Sequence, residues 1–131
     1  MIKKDKLLFP ELSYQICGLL FEVHNSLGRY YNEQQYGDLL ASLLKKSNLR
    51  YEREKNIPIS FEGEKEGRNK IDFCVEDSII LELKAKRMLF KEDYYQLKRY
   101  LVAFKMELGL LVNFRDKYLK PKRILNPLNR A

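Results

Sequence analysis

A chain of 131 residues, 45% hydrophobic and 33% charged, is long enough for one hydrophobic core, short for two domains, and outside the composition of disordered proteins. Its 25 Lys and Arg against 18 Asp and Glu leave a formal charge of +7, which favours a polyanionic partner, nucleic acid before a membrane surface. No apolar run approaches the ~20 residues that span a bilayer, and the opening MIKKDKLLFPEL holds too brief an apolar segment for a signal peptide, so no membrane association and a cytoplasmic location are expected.

Pro10 and Glu11 suit the first turn of a helix, and Leu12, Ile16, Leu19, Leu20, Val23 and Leu27 follow with helical spacing, predicting a helix from about Pro10 to Ser26. Gly28 is placed to end it in a left-handed conformation. Asn32 can cap a second helix, with Gln35 completing the box and Tyr36, Leu39, Leu40, Leu43 and Leu44 on its apolar face, running to about Lys46. From Leu49 the period changes. Tyr51, Arg53, Ile57, Ile59 and Phe61 alternate with polar residues as in a half-buried strand that Pro58 marks as irregular or near an edge.

After a turn over Glu62 to Gly67, Lys70–Val75 and Ser78–Ala85 read as a hairpin joined at Glu76 and Asp77. A third helix is expected from Lys91 to about Lys105, with Tyr94, Leu97, Leu101 and Phe104 inward. Leu108–Phe114 is an almost continuous apolar run, suited to a central strand buried on both faces, and Lys120 to Ile124 can add a short edge strand. The order α-α-β-β-β-α-β, with that short final strand, describes one α/β (α+β) domain over residues 1–131 with helices packed on a mixed sheet.

Three ionic residues interrupt the apolar hairpin. Strand alternation sends Glu82 and Lys84 to one face and Leu81, Leu83 and Ala85 to the other. If Asp72 lies beside Glu82 on the neighbouring strand, the two carboxylates repel unless a cation lies between them. Mg²⁺ or Mn²⁺ would meet that need, taking oxygens from Asp72, Glu82 and the backbone carbonyl of Leu83 while keeping several waters. Lys84 would then orient the attacking water or help remove its proton. The competing explanation is a cross-strand salt bridge from Lys84 to Asp72 or Glu82. His24, on the first helix, reads as a surface or satisfied interior histidine, and Cys17 and Cys74 as reduced thiols with no ligand spacing.

At these residues the chain resembles the PD-(D/E)XK nuclease superfamily, and within it the small GxxExxY proteins. The likeness runs through VHNSLG, NEQQY, PISFEG, KIDFCVEDSIILELKA, QLKRYL, LGLLVNF and KRI. It implies a restriction-endonuclease-like core in which Asp72, Glu82 and Lys84 are the catalytic acid, acid and lysine. The naming motif matches as Tyr30, Glu33 and Tyr36, with Tyr30 in the glycine position. The resemblance implies that Glu33 joins the metal site, directly or through water. An acid in a helix's first turn is also favourable by about 0.3–1 kcal/mol with no catalytic role. Gln96 and Tyr100 match the Gln-x-x-x-Tyr motif of exonuclease-like members and share a helix face, while a Tyr half in the core beside a polar Gln is the plainer account.

Around these positions lie Lys86, Arg87, Lys91, Lys98, Arg99, Arg115, Lys117, Lys120, Lys122 and Arg123, suited to phosphate contacts without sequence readout. The expected function is a Mg²⁺- or Mn²⁺-dependent nuclease acting on nucleic acid, DNA before RNA, with self-association left open. A binding module that keeps the fold without turnover, and a structural subunit of a larger assembly, are the alternatives.

Overall fold

Every residue from Leu108 to Asn113 is buried, and the strand they form is the axis of the sheet. The computed structural model describes residues 8–67 and 69–128. Its elements are α1 (Pro10–Leu27), α2 (Glu33–Lys46), β1 (Tyr51–Asn56), β2 (Lys70–Val75), β3 (Ile79–Lys84), α3 (Lys91–Phe104), β4 (Leu108–Asn113) and β5 (Lys122–Leu125). The strands lie side by side in the order β1-β2-β3-β4-β5, all antiparallel except β3 with β4. A parallel pair needs a crossover, and α3 supplies it.

Alternation along the strands divides the core into two layers. Leu81, Leu83, Leu110 and Val112 pack with α1 and α2, whereas Ile80 and Leu111 pack with Leu97, Tyr100 and Leu101 of α3. The expected order of elements and the mixed sheet are those observed, and β5 is the short final strand.

Local chemistry accounts for the boundaries. Asn32 accepts a hydrogen bond from the Gln35 N–H (2.9 Å), and Gln35 accepts one from the Asn32 N–H (3.0 Å), closing the anticipated capping box. Glu76 and Asp77, at φ 53° and 50°, make the tight turn of the hairpin. Gly28 departs from expectation: its φ of 79° is positive, but ψ of −153° is the extended region open essentially to glycine alone. That geometry leaves the Gly28 carbonyl free to accept a 2.6 Å hydrogen bond from the Tyr36 hydroxyl.

Tyr36 is itself fully buried, its ring stacked on Phe114 at 4.2 Å between centroids. It therefore supports the start of α2 and offers no surface to nucleic acid. The first strand is shorter than its sequence pattern. β1 ends at Asn56, and Ile59 and Phe61 stand exposed, because Pro58 has no N–H to give a ladder and the chain leaves the sheet after the Ile57 N–H donates to Asn69 (3.0 Å).

β4 and α3 approach closely at Gly109. A Cβ there would lie 2.9–3.0 Å from three side-chain carbons of Leu97, which is fully buried and has no room to withdraw. Gly109→Ala is expected to cost about 1–3 kcal/mol by overpacking, read as a lower midpoint in urea unfolding.

Candidate active site

The β2–β3 ladder pairs Val75 with Ile79, Cys74 with Ile80 and Phe73 with Leu81, then stops. The next pair would be Asp72 and Glu82. There the side chains take over from the backbone: the Asp72 N–H donates to Glu82 Oε2 (2.9 Å), and the Leu83 N–H donates to Asp72 Oδ2 (2.7 Å). On the other flank of β2, Glu54 has φ 54° and drops out of the β1–β2 register, which resumes at Lys55 with Ile71. Ile71 and Phe73 serve opposite layers of the core, so strand alternation fails at Asp72. The sheet is opened at this point, and the N–H groups the ladder would leave unpaired are satisfied by the two acids.

Each carboxylate thus has one oxygen held by the backbone and one that the backbone does not engage. Glu82 is buried at 4% exposure and Asp72 is half-buried, and among the described residues no buried side-chain oxygen or nitrogen lacks a partner. Burial pushes the Asp72 carboxyl up to about 6 against the Leu83 hydrogen bond, with Glu33 adding to the rise. Burial and the Asp72 charge push Glu82 up to about 8. Two acids resisting ionisation side by side, each with one oxygen not engaged by the backbone, are a donor set suited to a hard divalent cation.

Lys84 is placed by α3. Its Nζ donates to Gln96 Oε1 (3.2 Å) and lies 3.9 Å from Asp93 Oδ1, while its charge favours the ionised forms of Asp72 and Glu82. No direct ion pair joins Lys84 to Asp72 or Glu82, so the simple cross-strand salt bridge is not what forms. Tyr100, one turn beyond Gln96, is buried, and burial together with Glu82 raises its hydroxyl to about 12, keeping it a donor. Gln96 therefore meets the lysine, and Tyr100 lies within electrostatic reach of Glu82 and Asp72. Lys86 is engaged by both oxygens of Asp93 (3.0 and 2.9 Å) and serves to hold α3 to the end of β3. Lys98 lies over the Tyr95 ring, and Arg87 and Arg99 are exposed.

Glu33 is the first residue of α2 and lines a small pocket of about 50 Å³ with Asp72, Leu83, Glu54 and Arg53. It is close enough to raise both acids electrostatically. It does not close on them as a tight third ligand: among the described residues the only three metal-binding side chains within 4.8 Å of one another are Glu52, Cys74 and Asp77. That group lies elsewhere, and Glu52 is already paired with Lys55 at 2.7 Å. His24 donates to the Asp116 carbonyl (2.9 Å) and is a half-buried, satisfied residue. A concavity of about 640 Å³ beside Asp77 and Glu107 is at the opposite end of β3 and β4 from the acids.

Two supporting residues escaped the sequence reading. Asp93 is buried, caps α3 by accepting from the Phe90 N–H (2.7 Å), and anchors Lys86; an acid in a helix's first turn was its one visible signal. Burial raises its carboxyl, but the Phe90 and Lys86 hydrogen bonds outweigh that and hold it below the ordinary range. Asn113, within an apolar strand, accepts from the Lys86 N–H (3.0 Å) and donates to the Lys86 carbonyl (2.8 Å), continuing the sheet past Lys84.

A mixed five-stranded sheet with two helices on one face, a crossover helix on the other, and acid, acid and lysine at an opened hairpin is a restriction-endonuclease-like fold. A sequence profile of the PD-(D/E)XK nuclease superfamily matches residues 10–124, and the chain belongs to that superfamily. Its structure is similar to the crystal structure of SSO0001, with a TM-score of 0.52 at 21% identity over 98% of this chain and 71% of that one, a likeness of fold. No curated protein matches the sequence significantly. Among the described residues no helix is long and apolar enough to cross a membrane.

The two raised acids link stability to pH. A carboxyl whose folded pKa exceeds its unfolded value holds its proton more tightly when folded, so its ionisation opposes folding. From the ordinary values of 3.8 and 4.5 and the folded values of about 6 and about 8, metal-free protein should lose melting temperature as pH rises from about 4 to about 8. The Asp72→Asn, Glu82→Gln double variant should flatten that slope. Mn²⁺ should raise the melting temperature of the wild type more at pH 8 than at pH 5, and that of the double variant at neither.

Proposed function

We propose that this protein is a divalent-metal-dependent nuclease that hydrolyses phosphodiester bonds in DNA without reading base sequence, and that within its superfamily it is a GxxExxY-type member. The observation that carries this reading is the pair Asp72 and Glu82, side by side where the ladder opens, each with one oxygen fixed by the backbone, beside the ammonium of Lys84. Asp72 and Glu82 would hold Mg²⁺ or Mn²⁺, with the Leu83 carbonyl as a further oxygen and Glu33 reaching it through water. When bound, the metal supplies Lewis-acid stabilisation of charge developing on the phosphate.

The protein's own groups do the rest. Lys84, steadied by Gln96, presents an ammonium beside the acids, where it orients the incoming water and stabilises the negative charge that water acquires on losing its proton. The Tyr100 hydroxyl, kept protonated at neutral pH, donates to a phosphate oxygen. Arg87, Lys98 and Arg99 add sequence-independent attraction to the backbone. Lys86 is committed to Asp93 and contributes through α3, holding the helix that carries Gln96.

Purified protein supplied with Mg²⁺ or Mn²⁺ should cut at least one of single-stranded, duplex or branched DNA. Asp72→Asn, Glu82→Gln and Lys84→Met should each lower the rate by about 100-fold or more, and Gln96→Ala by less, since it acts through Lys84. Wild-type rates in Asp72→Asn or Lys84→Met would overturn the proposal. Binding without cleavage under every metal would make the protein a non-catalytic nucleic-acid-binding module.

A further inference from the structure

The loop between α1 and α2 and the turn after β4 are tied together by two arginines. The Arg29 Nε–H donates to the Arg115 carbonyl (2.8 Å), and the Arg115 Nε–H donates to the Arg29 carbonyl (3.0 Å). Arg115 also donates through Nη2 to the carbonyl of Ala85, the residue after Lys84 (3.4 Å). Both guanidiniums lie over the ring of Tyr30, at 5.4 and 5.5 Å from its centroid, and Tyr30 is 76% exposed.

Among the described residues neither arginine has an acidic partner. Holding two like charges on one aromatic ring without a counter-ion is unfavourable on its own. The backbone carbonyls occupy the Nε–H of each and one Nη of Arg115, which leaves several guanidinium donors in a fixed orientation for an outside anion. Their place in the fold selects the anion. Arg29 precedes Glu33 by four residues, and Arg115 follows Asn113, the register partner of Lys84, by two, so the pair sits at the end of the sheet where the acids open.

We propose that Arg29 and Arg115, braced on Tyr30, form a phosphate-binding station that grips the backbone of a nucleic-acid strand beside the acid pocket. The identity of the anion rests on the nuclease reading; the geometry of the station does not. The guanidiniums bind phosphate oxygens and Tyr30 keeps the two side chains extended, so the station adds grip and register without base specificity.

The test is binding of fluorescent single-stranded and duplex DNA across a KCl titration, with divalent metal withheld so that nothing is cut. Relative to wild type, the Arg29→Gln, Arg115→Gln double variant should bind about tenfold or more weakly at low salt, and its slope of log affinity against log salt should be shallower by about two, one for each lost phosphate contact. Its melting temperature and Mn²⁺ affinity report that the fold and the acids are intact. Should the double variant not fold, Arg29→Gln alone keeps the backbone carbonyl that Arg115 uses, and its slope should fall by about one.

A folded variant with wild-type affinity and slope would overturn the station. If the wild type then still cuts DNA, the nuclease reading survives that loss. If the variants lose binding as expected but the wild type cuts nothing with any metal, the station stands as a binding site and the nuclease reading fails. Wild-type protein that binds neither DNA form would overturn both.

Discussion

The structure turns on a substitution of side chains for backbone in the middle of a sheet. At Asp72 and Glu82 the antiparallel ladder would have been completed by peptide groups, and it is completed instead by two carboxylates that accept the Asp72 and Leu83 N–H bonds. Ionised acids in such surroundings carry a heavy desolvation cost, visible in their raised pKa values. The backbone bonds recover part of that cost and fix one oxygen of each acid, leaving the other unengaged by the backbone. Pocket, charge and access thus share one cause, the opening of β2 from β3. Glu54, in a left-handed conformation across from Asp72, shows the same opening on the other flank.

Around that break α3 works as a clamp. Its first turn carries Asp93, which fastens Lys86 at the end of β3; its next turns carry Gln96, which meets Lys84, and Tyr100, whose hydroxyl feels the charge of the acids. Leu97, between them in sequence, packs so tightly on Gly109 that the helix has little freedom to shift along β4. Precision at the lysine comes from this combination of apolar contact and buried hydrogen bonds. A charged side chain at a strand end would otherwise sample many rotamers, and a loose ammonium is a weak electrostatic catalyst.

The order of helices and strands, the capping box at Asn32 and Gln35, the turn at Glu76 and Asp77, and the shared face of Glu82 and Lys84 were all legible in the sequence, because each depends on spacing and local chemistry. The end of β1 was not: Ile57, Ile59 and Phe61 alternate like a strand, and only the departure of the chain at Pro58 takes them off the sheet. Asp93 and Asn113 were passed over because an acid early in a helix and an Asn in an apolar run look ordinary until their partners across the fold are known. Glu33 was visible as a candidate, yet its separation from the two acids is a property of how α2 sits on the sheet.

By itself the sequence determined that helices pack on a mixed sheet, and that an acid, an acid and a lysine occupy its central hairpin. It does so because hydrophobic period, caps and turns are short-range and are written within a few residues of where they act. Only the tertiary structure decided that Lys84 turns to Gln96 and Asp93 instead of pairing with Asp72 or Glu82, that Tyr36 is a buried support, and that Arg29 and Arg115 meet over Tyr30. Those outcomes join residues far apart in the chain. Which donor reaches which acceptor there depends on the packing of α3 and α2 against the sheet, and no local pattern encodes it.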